Sequence, residues 1–313
     1  MTWRVPRSVW WAGGIGAAIV GSVLFFRFPW QHTATILTEV NAGLLVTALF
    51  INLISPVAKG WAWHLLLKPV APHRWWVAQE ANLIGSAVNS LAVGVAGEAV
   101  RISVLMRRSA VPFRPAVLSV AWSRAVEALG LALFLVLAPF TLHLSRTLRG
   151  LQIAAAVALV AVLALSRFRG WERLIARLPA ALRGGATELA TMSWGGRLIG
   201  PTALALLSWA AEWATYHLTL RAVHVPVSYA ASFTALIAVN LGGVVRITPA
   251  NIGVMQAAMV GALLPFGIAT DQAVAGGVAL QAIEVLPVLA IALAVAGWTG
   301  LRRLITDPAQ AQV

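Results

Sequence analysis

NLIGSAVNSLAVGVAGEAVR, residues 82–101, is apolar enough to enter a bilayer, yet it carries Asn82, Asn89, Glu98 and Arg101, with Gly85, Gly94 and Gly97 among them. A uniform helix facing lipid has no use for this mixture of glycine, amide and charge. Irregular backbone at membrane depth is tolerated only where protein or a water-filled cavity satisfies its polar groups. The stretch is therefore expected to form a broken, re-entrant segment that lines a polar site.

The chain around it is 60% hydrophobic and 11% charged over 313 residues, with a mean hydropathy of +0.84. That composition belongs to an all-α, polytopic helical membrane protein, and residues 1–313 read as a single integral membrane domain. The formal charge of +13 comes largely from bases between apolar runs. This suits a protein held against anionic lipid and argues against a nucleic-acid partner. The absence of cysteine removes disulfides and thiolate metal sites.

Apolar windows fall at 9–29, 40–58, 76–97, 115–142, 150–166, 199–220, 229–245, 250–266 and 273–299. Most approach the roughly 20 residues that cross a bilayer. The first is read as an uncleaved anchor, because Arg27-Phe28-Pro29 follows it with no small-residue cleavage pattern. Trp10, Trp11, Trp30, Trp61, Trp63, Trp75, Trp76 and Trp298 lie near span ends, where an aromatic belt belongs.

Loop charge sets the orientation. If 76–98 dips in from the cytoplasm and returns, seventeen Lys and Arg lie inside, and Arg27, Arg146, Arg149 and Arg221 lie outside. If it crosses once, the balance becomes eight inside and thirteen outside. The positive-inside rule selects the re-entrant arrangement, with both termini in the cytoplasm of an inner (plasma) membrane protein. The linker 167–198 carries Arg169, Arg173 and Arg177 opposite Trp171, Leu174, Ile175 and Leu178, the pattern of an amphipathic helix on the cytoplasmic leaflet.

An internal repeat divides the chain at about residue 145. Asn82-Leu83-Ile84-Gly85 aligns with Asn240-Leu241-Gly242-Gly243 at an offset of 158, which also takes Glu98 to Gln256. An offset of 157 takes Arg124 to Gln281 and Glu127 to Glu284. With the orientation above, residues 1–145 and 146–300 read as inverted copies, provided that 229–266 is a second broken pair rather than two full spans. Inverted repeats whose broken helices meet near the midplane are a secondary-transporter architecture.

An ionisable side chain at the bilayer centre costs about 2.5–3.5 kcal/mol, so each needs a partner or a cavity. Glu98 with Arg101 and Arg124 with Glu127 stand at i, i+3; Glu284 sits near Gln281, and Arg246 near Pro249. Mutually satisfied pairs gluing helices together would explain them. So would a polar cavity in which Arg101, Arg124 and Arg246 meet an anionic head group, since guanidinium forks suit phosphate. Helix N-termini freed near the glycines or Pro249-Ala250-Asn251-Ile252-Gly253 would add backbone donors. Glu212, His217, Glu80, His64 and His73 carry weaker signals, as buried, capping or interfacial residues. No HExxH, G-x-S-x-G, P-loop or carboxylate cluster for a divalent metal occurs, so neither enzyme activity nor a cofactor is expected. Uphill movement would then need an ion gradient, with Glu98, Glu127 and Glu284 as candidate proton carriers.

At Asn89, Gly97-Glu98-Ala99-Val100-Arg101, Arg124 with Glu127, and Pro249-Ala250-Asn251-Ile252-Gly253-Val254-Met255-Gln256, the chain resembles the flippase-like transmembrane family of lysylphosphatidylglycerol synthases, from about residue 10 to 300. It departs in lacking the proline before Gly-Glu, in Ala250 for glycine, and in Gln256 for an acid, which removes a titrating group at 256. The aminoacyl-transfer domain of the full synthases is not found in these residues, so the resemblance implies the translocating part and not lipid lysinylation. It implies a flippase or transporter for a phospholipid, polyprenyl-linked or hopanoid-type lipid with an anionic or polar head group. The expected substrate-binding residues are Asn89, Glu98, Arg101, Arg124, Glu127, Arg246, Asn251, Gln256, Gln281 and Glu284. Membrane lipids, and partner enzymes of envelope lipid synthesis, are the partners. The competing reading is a membrane-embedded enzyme or accessory factor of that synthesis.

Overall fold

The computed structural model describes residues 30–91, 96–137, 146, 149–157, 175–193, 196–243, 248 and 251–306, which are helical with short connections and contain no strand. The helices are α1 (Trp30–Thr38), α2 (Ala42–Asn52), α3 (Ile54–Leu67), α4 (Trp75–Leu91), α5 (Ala96–Ser109), α6 (Phe113–Leu137), α7 (Ala180–Ser193), α8 (Ile199–Ala222), α9 (Tyr229–Gly242), α10 (Val254–Leu263) and α11 (Thr270–Thr306). Among the described residues, three stretches are long and apolar enough to cross a membrane: Ala42–Leu67 (α2 with α3), Phe113–Leu137 and Thr270–Trp298. The window 9–29, most of 150–166, and Arg169 and Arg173 of the amphipathic pattern lie outside the described residues; the linker's described helix is α7.

Two prolines shape the long helices. Pro56 and Pro287 each lack the N–H that would bond the carbonyl four residues back. For Pro287 that carbonyl belongs to Ile283, and the buried Asn52 amide donates to it at 2.9 Å. The Pro56 carbonyl in turn accepts from Gln79 at 3.2 Å and Asn82 at 2.9 Å. At the Pro287 break a side-chain amide thus satisfies the carbonyl that lost its helical donor, as a lipid environment demands.

α4 and α5 pair antiparallel: Glu80 bonds Arg108 at 2.6 Å near one end, and Asn89 accepts from the Gly97 N–H at 2.9 Å near the other. A Cβ at Gly85 would stand 2.7 Å from the Gly97 carbonyl, and one at Gly97 would stand 2.1 Å from the Gly85 carbonyl. These glycines therefore serve close backbone approach rather than a break; Gly94 lies outside the described residues. The hairpin is longer than the sequence reading, since α5 runs on through Arg101, Arg107 and Arg108. Arg101 and Lys59, counted above as cytoplasmic loop charges, sit inside α5 and α3 instead. α9 and α10 form a second hairpin, where Gly242 meets Val254 and Ala258.

α8 lies antiparallel to α2 and α3 along their length, from the Asn41 N–H bonded to the Ala222 carbonyl at 2.8 Å, through Ser55 and Ser208 at 2.9 Å, to Leu65 against Gly200. One core packs Trp63, Leu67, Ala78, Ala81, Leu105 and Val120 between α3, α4, α5 and α6. The other packs Tyr216, Leu220, Leu236, Met259 and Leu280 between α8, α9, α10 and α11. Trp63 is fully buried in the first, so it is a core residue and not part of the interfacial belt.

Candidate functional site

Between the two cores lies a cavity of about 640 Å³, walled by residues of both hairpins, α2, α3, α6, α8 and α11. Its first charged cluster starts in the opening turn of α5. Asn89 fixes that turn by accepting from the Gly97 N–H and donating to Glu98 at 3.1 Å. Arg124 on α6 bridges two carboxylates, Glu98 and, at 2.7 Å, Glu127. Behind Glu98, Arg101 donates to its second oxygen at 3.1 Å and lies 4.4 Å from the centre of the Trp63 ring. Arg101 is 2% exposed and does not reach the cavity wall; its Nε and Nη2 have no partner among the described residues.

A second cluster comes from α3, α8 and α11. Glu212 accepts from Lys59 at 2.6 Å and from Ser55 at 2.7 Å. Glu284 faces the same space, with Tyr216 on the same wall. No Lys or Arg among the described residues forms an ion pair with it. The third group belongs to the second hairpin. Asn251 holds a left-handed backbone (φ 54°) and lines the cavity. Gln256 accepts from the Gly253 N–H at 2.7 Å and donates to Gln281 at 2.7 Å.

The cavity wall therefore brings together Asn89, Glu98, Arg124, Glu127, Asn251, Gln281 and Glu284. Arg101 and Gln256 stand one side chain behind it, and Arg246 lies outside the described residues. Lys59, Glu212, Tyr216, Asn52, Ser55, Asn82 and Asn240 also line the wall, and sequence reasoning left them out of the site. A signal existed for two of them, because the repeat aligns Asn82 with Asn240. For Lys59 and Glu212 the signal was weaker: charges 153 residues apart, which only folding brings together. Among the described wall residues, four carboxylates face two cations, and each cation is held by at least one carboxylate. No His, Cys, Asp and Glu group that could hold a metal ion occurs among the described residues.

Long apolar helices enclosing a charged, amide-lined cavity define a polytopic membrane protein. The chain belongs to the lysylphosphatidylglycerol synthase TM region family, whose model matches residues 9–292. No curated protein matches the chain significantly. Family membership gives it a lipid-related role in a membrane.

Proposed function

We propose that the chain moves a lipid with an anionic or polar head group across the inner membrane, its head group passing through the cavity while the acyl chains stay in the bilayer. The observation that carries this reading is the wall itself, to which both halves contribute ionisable and amide side chains. The helix lengths support re-entrant hairpins. α4 has 17 residues and α9 has 14, so they reach about 25 and 21 Å, short of a hydrocarbon core of about 30 Å. The offset of 158 supports inverted repeats, since it carries Ala96, the first residue of α5, onto Val254, the first of α10. Glu98 and Gln256 then hold the same third position of the second arm.

In this account Asn89 and Arg101 set Glu98 in place, and Arg124 presents its remaining N–H groups to the head group. The carboxylates Glu98, Glu127 and Glu284 are the sites at which protons could couple to movement. The chain itself performs no catalysis, both termini are cytoplasmic, and enzymes of envelope lipid synthesis are its partners. The test is translocation of head-group-labelled lipid in proteoliposomes. Arg124→Gln is expected to lower the rate about tenfold or more, as loss of a charged hydrogen-bond donor to the head group does, with the protein still folded. An unchanged rate in that variant would remove the cavity from the pathway.

A further inference from the structure

The orientation of the amides on the cavity wall says which head group it fits, an inference that rests on the lipid-site reading above. Asn52 donates its amide N–H to the Ile283 carbonyl at 2.9 Å, Asn82 to the Pro56 carbonyl at 2.9 Å, and Asn240 to the Leu236 carbonyl at 2.9 Å. A backbone carbonyl can only accept, so one N–H of each amide is anchored, which sets its orientation and leaves the oxygen and the second N–H over. No described residue donates to those three oxygens. All three residues line the cavity, from α2, α4 and α9. Acceptors therefore line the wall from both halves, joined by the carboxylates.

Donors are interleaved with them. Lys59 spends one of its three N–H bonds on Glu212, and Arg124 uses one on each of Glu98 and Glu127. A phosphate only accepts: Lys59 and Arg124 have N–H groups left for it, but four carboxylates and three amide oxygens face it as well. An ammonium only donates: the carboxylates and amide oxygens can receive it, but Lys59 and Arg124 on the same wall repel it. A hydroxyl does both, and several on one ring can answer a wall that alternates.

We infer that the cavity between the two hairpins selects a neutral, polyhydroxylated head group of the glycosyl type, through the carboxamide oxygens of Asn52, Asn82 and Asn240 and the paired cations Lys59 and Arg124. The test is native mass spectrometry of the full chain offered equal amounts of three diacyl lipids with identical acyl chains: a monoglucosyl lipid, phosphatidic acid and an ammonium-headed lipid. The glucosyl lipid is expected to be retained about fivefold over the other two, the yield of a few added hydrogen bonds. Asn240→Leu, whose amide bonds only within its own helix, is expected to erase that preference, and Asn240→Gln to restore part of it. Equal or greater retention of phosphatidic acid or the ammonium lipid, or no selection among the three, overturns the head-group class. Flux of the glucosyl lipid in proteoliposomes separates the two ideas: selective retention without flux upholds the head-group class and removes translocation.

Discussion

Gly85 and Gly97 carry a close backbone contact of the first hairpin, a role that the sequence reading did not give them. Glycine beside amides in an apolar run suggested a broken helix, whereas both residues are helical and let two arms touch. A side chain at either position must displace backbone, so Gly97→Val is expected to cost about 1–3 kcal/mol or more, the range of overpacking. Gly261→Ala, inside α10 and with a Cβ that meets nothing within 4 Å, is the control and should leave thermal stability unchanged or raised. Melting of the two purified variants in detergent reads the difference; an unaltered Gly97→Val would refute the close approach. Arg101 is a similar case. Its spacing from Glu98 was legible, but its place behind that carboxylate, over Trp63, depends on how far α5 extends.

At the scale of elements, the Pro287 break and the Asn52 amide work as a pair. Removing the Asn52 amide strands the Ile283 carbonyl that Pro287 left without its helical donor. Asn52→Leu should therefore cost about 1–3 kcal/mol, the price of a buried acceptor left unmade. Pro287→Ala supplies the missing N–H, so Asn52→Leu should cost less in that background. A double-mutant cycle on thermal stability measures the coupling, and strict additivity would contradict the pairing. The link between α3 and α4 gives a pH dependence. Burial holds the His73 imidazole below the usual histidine value of 6.5, and its Nε2 lies 2.8 Å from His64 Nδ1. With the folded value depressed, the unfolded chain binds the proton first, so this stability is complete above about pH 6.5 and falls as pH drops below it. Melting from pH 7.5 to 5.5 should show the loss, and His73→Phe should flatten it. The histidines were read as interface residues; their mutual hydrogen bond depends on a turn that periodicity does not describe.

Across the whole molecule, hydropathy made the helical membrane class and the long apolar windows legible, and the repeat pointed to both hairpins. It could not join Lys59 to Glu212 or Asn52 to Ile283, because antiparallel packing of distant helices creates those pairs. Nor did loop charge foresee that Lys59 and Arg101 belong inside helices; without them the bias still favours the same orientation. If the halves are inverted copies, cysteines placed at Pro72 and Ala110, flanking the first hairpin, should label from the cytoplasm alone. Cysteines at Tyr229 and Phe266, flanking the second, should label from outside alone. The absence of native cysteine makes this a clean experiment. The most direct measurement uses the cavity itself. Ser86, on its wall, is replaced by cysteine and exposed to a membrane-impermeant maleimide in right-side-out and in inside-out vesicles. A translocation pathway predicts reaction from both faces, slowed by added lipid substrate; reaction from one face only would contradict it.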